Sequence, residues 1–167
     1  MRKIIAILAV AAACMAAATS AKAIDDQNPK GTVVIGAMGG VVPGLGASLI
    51  GDFVIVDSWW KGHFTVGGEA DYRTFANGSY SGVALSARAT YGLNITSRFE
   101  VHVGLVSGVG VHMWPKTEEA KASIDVDPCY GALTGVRFFF SDVFGVTAEV
   151  NASNFATLIN AGVVFKF

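Results

Sequence analysis

The chain of 167 residues predicts an all-β fold: an eight-stranded antiparallel up-and-down β-barrel that crosses a membrane. Three observations carry this. Apolar and other residues alternate with a period of two along most of the sequence, the signature of half-buried strands. In the six clearest alternating runs all eight charges lie opposite the apolar side; random parity would give that about 1 time in 250, and it fits one uncharged face and one polar face. Hydrophobic residues make up 52% and charged residues 15%, against roughly 25–35% charge for a water-facing surface. Beyond the N-terminus, no stretch reaches the roughly 18 continuous apolar residues of a spanning helix.

Residues 1–23 have the layout of an export signal. "MRK" supplies positive charge, "IIAILAVAAACMAAA" an apolar run and "TSAKA" a small-residue site, with cleavage expected after Ala23. Thr19, Ser20 and Lys22 interrupt the run and argue against a retained anchor helix. Without Arg2, Lys3 and Lys22, nine basic residues remain against 13 acidic ones, so the exported chain is near −4 and nucleic acid is excluded as a partner. Cys14 lies inside the signal. "AAAC" is a loose lipoprotein-like site, but the apolar run before it is short and the usual Leu upstream is missing. Cys129 then remains alone, and no internal disulfide forms.

Ile24 to Lys30 ("IDDQNPK") is a polar lead-in, and residues 31–167 form the barrel. Its first two strands are "GTVVIGAMG", whose faces the pattern leaves open, and "GASLIGDFVIV", with Asp52 on the less apolar side. In "HFTVGGEADYRTF", Phe64, Val66, Ala70 and Tyr72 oppose Thr65, Glu69, Asp71 and Arg73. "VALSARATYGL" sets Val83, Leu85, Ala89 and Tyr91 against Ser86, Arg88 and Thr90. "RFEVHVGLVSGVGVHMW" sets Phe99, Val101, Val103 and Leu105 against Glu100, His102 and Gly104. "CYGALTGVRFF" sets Tyr130, Val136 and Phe138 against Gly131, Gly135 and Arg137. "GVTAEVNA" places Glu149 opposite Val146, Ala148 and Val150, and "TLINAGVVFKF" ends the chain on Phe165 and Phe167. The connections "GVVPGL", "DSWWKG", "ANGSYS", "NITS", "SDVFG" and "SNFA" carry the Gly, Asn, Asp and Ser of hairpin turns. The longest, Pro115 to Pro128, is an acidic loop with Glu118, Glu119, Asp125 and Asp127, without the glycine and ligand spacing of a calcium loop.

The same alternation suits three architectures: a sandwich, a soluble calycin-like binding barrel with an apolar interior, and a membrane barrel with lipid outside. Here the polar side is rich in Gly, Ser, Thr and Ala, which suit a narrow interior. The aromatics Tyr72, Tyr91, Phe99 and Tyr130 gather near strand ends, and Trp59 and Trp60 fall at a turn, as interfacial belts require. With no helix to cover sheet edges, closure removes them.

The last eight residues, "NAGVVFKF", resemble the C-terminal assembly signal of bacterial outer-membrane barrels through Asn160, Gly162, Phe165 and Phe167. With the strand count and length, the chain resembles the small OmpA, OmpX and OmpW type barrels. That resemblance implies a bacterial outer-membrane location, lipid as surroundings and the barrel insertion machinery as a partner of the last strand. A surface partner is not readable.

Eight strands leave an interior just wide enough to be filled by side chains. Asp52, Glu69, Asp71, Arg73, Arg88, Glu100, His102, Arg137 and Glu149 are the expected interior polar network, because buried charges of both signs must pair. Arg88, Glu100, His102, Arg137 and Glu149 are expected at one depth, and Glu69, Asp71 and Arg73 climb toward the outer end. The expected role is structural or surface-interacting, with no enzyme activity, cofactor or metal. The OmpW resemblance implies an alternative, a narrow conduit for small apolar molecules; a secreted calycin-like binder is a second. Lipid A deacylases of this size carry a His and a Ser two apart near the C-terminus. Here "NASNF" has Asn151 in the histidine's place, so that activity is not carried over.

Overall fold

Successive hairpins close on themselves in the structure, a computed structural model that describes residues 28–41, 44–74, 80–115, 123–155 and 157–167. The strands are β1 (Val33–Val41), β2 (Leu45–Trp59), β3 (Gly62–Thr74), β4 (Ser81–Asn94), β5 (Phe99–Trp114), β6 (Ser123–Phe139), β7 (Phe144–Ser153) and β8 (Thr157–Lys166). Each pairs antiparallel with the next, and β8 pairs with β1 from Val34↔Lys166 to Val41↔Ile159, so the sheet is a closed barrel without edges along the shared wall. Val33 and Phe167 exchange both main-chain hydrogen bonds at 2.9 Å and lock the seam between the first and last strands. The export signal lies outside the described residues. Among the described residues no helix is long and apolar enough to cross a membrane.

Turn chemistry sets the register at the end where β1 begins and β8 finishes, called the base below. Thr96 Oγ1 accepts from the Phe99 amide at 3.0 Å, and Ser141 Oγ accepts from the Phe144 amide at 3.0 Å. A side-chain oxygen that replaces a backbone acceptor is how Ser and Thr hold short turns.

The pleat then decides which side each residue takes, because successive side chains point to opposite faces. Leu49, Leu85 and Leu105 stand outside at 63%, 70% and 67% exposure, whereas Glu69, Arg88, Arg137 and Glu149 point inward and are buried. A soluble binding barrel is built the opposite way round. On β3 and β6 the outward face is bracketed by rings eight residues apart, Phe64 with Tyr72 and Tyr130 with Phe138. Eight residues span roughly 27 Å along a strand. At a tilt of about 40° that is roughly 20 Å of height, near the ~25 Å apolar band of membrane barrels.

Four expectations are corrected. The stretch Pro115 to Pro128 is not all loop: β6 begins at Ser123, pairs with β5 out to Trp114↔Ser123, and carries Asp125 and Asp127. Glu118 and Glu119 lie outside the described residues. Pro128 is tolerated because pairing with β7 starts only at Gly131↔Ser153, leaving this part of β6 an edge where a missing N–H costs no ladder bond. Strand β2 runs to Trp59, with irregularities after Val54 and Val56, so the connection to β3 is Trp60 and Lys61 alone. Cys129 lies within β6 rather than at its start. Lastly, the interior is not wholly polar: Val34, Met38, Ile50, Phe139 and Val164 form an inward apolar cluster.

Candidate functional site

Among the described residues, the lumen is where chemistry-bearing side chains converge. Strands β2 to β7 each turn at least one charged residue inward, and the apolar cluster fills the β1–β8 side. Asp52 stands between two guanidinium groups. Its Oδ1 is 3.0 Å from Arg88 Nε, a close ion contact without hydrogen-bond alignment, and its Oδ2 accepts from Arg137 Nη2. Arg88 also donates to Glu149 at 3.0 Å and to Glu69 at 3.3 Å. Arg137 donates to Glu100 at 3.1 Å and lies 3.8 Å from Glu149. His102 places Nε2 3.0 Å from Glu149 Oε1 and Nδ1 3.7 Å from Glu100 Oε1. Seven of the nine expected residues therefore form one connected network: Asp52, Glu69, Arg88, Glu100, His102, Arg137 and Glu149.

Arg88, Glu100, His102, Arg137 and Glu149 touch one another in a continuous chain, and Arg88 also reaches Glu69, which carries the network one step toward the far end. Arg73 stays outside it, and Asp71 meets it only at Glu69. Asp71 accepts a short hydrogen bond from Ser48 Oγ. Arg73 is 3% exposed, makes no ion pair among the described residues, and leaves Nε and Nη1 without hydrogen-bond partners. Its guanidinium lies 5.0 Å from the centre of the Phe155 ring, a cation–π contact.

Residues beyond the strands reach into the lumen at both ends. At the base, Asn28 from the lead-in is buried in the lumen and donates to Glu100 Oε2 at 2.8 Å, with His63 Nε2 3.4 Å away. The lead-in is held there by Gly31 N donating to Val54 O at 3.0 Å and Lys30 N donating to Asp57 Oδ2 at 2.9 Å. At the far end Phe155 folds inward over Gly82 and Gly110; a Cβ at either position would meet its ring within about 3 Å. Asn154 fixes this arrangement, accepting from Tyr130 N and donating to Pro128 O, both at 2.7 Å. Tyr80 OH and His112 Nδ1 share a hydrogen bond beside the ring.

Asn28, Ser48, His63, Asn151 and Phe155 were not among the expected site residues. Asn151 donates to Glu69 at 3.0 Å. Leu133 and Val106 also point inward and are buried. The inward glycines at 82 and 110 were the available signal for a bulky plug.

On the outside, Trp59, Phe64 and Tyr91 pack together at the base, with centroids 4.7–5.8 Å apart. Phe99 is half-buried nearby and pairs with Phe138. Tyr72 and Tyr130 are exposed toward the far end. On β8, Asn160 is fully buried and donates to Ser48 Oγ at 3.4 Å. Gly162 is needed for close approach, since a Cβ there would run into the Ala37 carbonyl. Phe165 faces outward against Phe144, and Phe167 is exposed.

Chemically, the network is suited to holding strands together, and its acids and imidazoles are buried. Among the described residues no group of three or more His, Cys, Asp or Glu side chains is arranged to hold a metal.

No protein-family model matches the chain, and no curated protein matches it. Solved structures do. The chain is similar to the N-terminal β-barrel domain of OprF from Pseudomonas aeruginosa, with a TM-score of 0.61 and 13% identity over 83% of this chain and 98% of that one. It is similar to Ail, the attachment invasion locus protein of Yersinia pestis, with a TM-score of 0.57 and 13% identity over 83% of this chain and 100% of that one. It is also similar to neisserial surface protein A, with a TM-score of 0.55 and 16% identity over 81% of this chain and 95% of that one. The fold is that of the small OmpA/OmpX-type outer-membrane β-barrels.

Proposed function

We propose that this chain, built on the small outer-membrane barrel fold, is an integral protein of the bacterial outer membrane with a sealed lumen and a structural or surface-interacting role. The base faces the periplasm, the far end faces outward, and the Asn160, Gly162, Phe165 and Phe167 pattern of β8 addresses the chain to the insertion machinery. No covalent chemistry is assigned to it. The observation that carries the reading is the inside-out distribution: apolar side chains exposed around the wall, and a paired charge network inside. In water that outer wall would be an aggregation surface, whereas lipid covers it.

The test is biochemical. Expressed with its signal, the protein should resist urea extraction from the envelope and migrate differently on a denaturing gel before and after boiling. A soluble, urea-extractable protein with a single migration position sinks the reading.

A further inference from the structure

The two-residue connection between β2 and β3 is built against its own backbone preference. Trp60 and Lys61 both have positive φ, 48° and 65°, as does Ser58 at 55°. These are the only non-glycine residues with positive φ among the described residues. Two left-handed residues at the centre of a two-residue hairpin make a type I′ turn, the geometry that Asn-Gly fills with least strain. Trp and Lys are poor substitutes. Such strain persists only where the surroundings over-determine it, and it clusters at functional positions.

The surroundings are visible. Tyr91 OH donates to the carbonyls of Trp59 and Trp60 at 3.1 and 3.2 Å, bracing the turn from the neighbouring hairpin. The two indoles stack with centroids 5.3 Å apart and planes 8° from parallel. Yet Trp60 remains 80% exposed and Lys61 is exposed beside it. The turn is continuous with the outward ring cluster of Phe64 and Tyr91. The exposed charges described at the base are of both signs, Lys30, Lys61 and Arg98 with Asp57 and Asp142, whereas those described at the far end are Asp125 and Asp127 alone. An indole held flat at the edge of an apolar wall, with a cation at its tip, matches the boundary between acyl chains and phosphates.

We propose that the Trp60–Lys61 turn is a binding site for the phosphate of an anionic glycerophospholipid in the periplasmic leaflet. Lys61 meets the phosphate, and the Trp60 indole lies at the glycerol level with its N–H toward the ester oxygens. This rests on the membrane reading above.

The test uses the full exported chain in phosphatidylcholine nanodiscs, with Trp60 emission isolated as the difference between wild type and Trp60→Phe. Brominated phosphatidylglycerol should quench Trp60 at about one-fifth the mole fraction that brominated phosphatidylcholine requires, the factor one lysine near an anionic surface supplies. Lys61→Gln should abolish that preference and leave quenching by brominated phosphatidylcholine intact. Trp60→Asn combined with Lys61→Gly relieves the turn; it should raise resistance to urea while losing retained phosphatidylglycerol in native mass spectrometry. Equal quenching by both lipids with a silent Lys61→Gln overturns the site and leaves the membrane reading standing. So does quenching of Trp60 by aqueous iodide alone in a protein that still migrates heat-modifiably. Failure of the protein to enter nanodiscs at all overturns both.

Discussion

The two halves of the lumen handle buried charge in different ways. Toward the base, Arg88 and Arg137 are each surrounded by carboxylates from several strands, and Glu149 touches both of them and His102. Toward the far end, Arg73 is also buried but has no ion pair among the described residues and rests on an aromatic ring. A buried charge is costly to strand but can be replaced, with its partners, at little net loss. The base half is therefore a cross-strand clamp whose members depend on one another. The far half is an aromatic plug that includes one guanidinium.

The contrast breaks most readily at Arg137. Arg137→Ala leaves Asp52 and Glu100 without their shared partner and should lower the unfolding free energy by about 3–5 kcal/mol, read from urea titration in detergent micelles. Arg73→Met should instead move it by less than about 1 kcal/mol, because a cation without an ion pair among the described residues gives way to an apolar chain of similar length; a loss as large as that of Arg137→Ala would erase the distinction between the halves. Phe155→Ala should cost about 2 kcal/mol, below the usual Phe→Ala range because the ring packs on glycines at the end of the barrel. A cost between those of Arg73→Met and Phe155→Ala is expected at Asn28. Asn28→Ala removes a hydrogen bond to the buried Glu100 carboxylate and should cost about 1.5 kcal/mol, seen as a small downward shift of the urea midpoint.

The base half was also the more legible in sequence, for a physical reason. A charge on an alternating strand declares its own face, so Glu69, Arg88, Glu100, Arg137 and Glu149 could be placed on one side by counting. Where both parities are apolar or glycine, counting fails. The faces of β1 could not be read because Val34 and Met38 point inward while Val33 and Ala37 sit among equally apolar neighbours. In β5, Val106 points inward and Ser107 outward, the reverse of the local pattern. Asn28 and Phe155 lie outside the strands, where no period constrains a side chain. The start of β6 looked like a loop because acidic residues and Pro128 are loop-forming in isolation; its pairing with β5 outweighs that local preference.

Planar-bilayer recording of the reconstituted wild-type barrel most directly tests the sealed lumen. The clamp, the Asn28 cork and the Phe155 plug together predict no steady open level in the wild type, and measurable conductance only when Arg137→Ala is combined with Phe155→Ala. A stable open channel in the wild type, unchanged by those substitutions, would contradict the account.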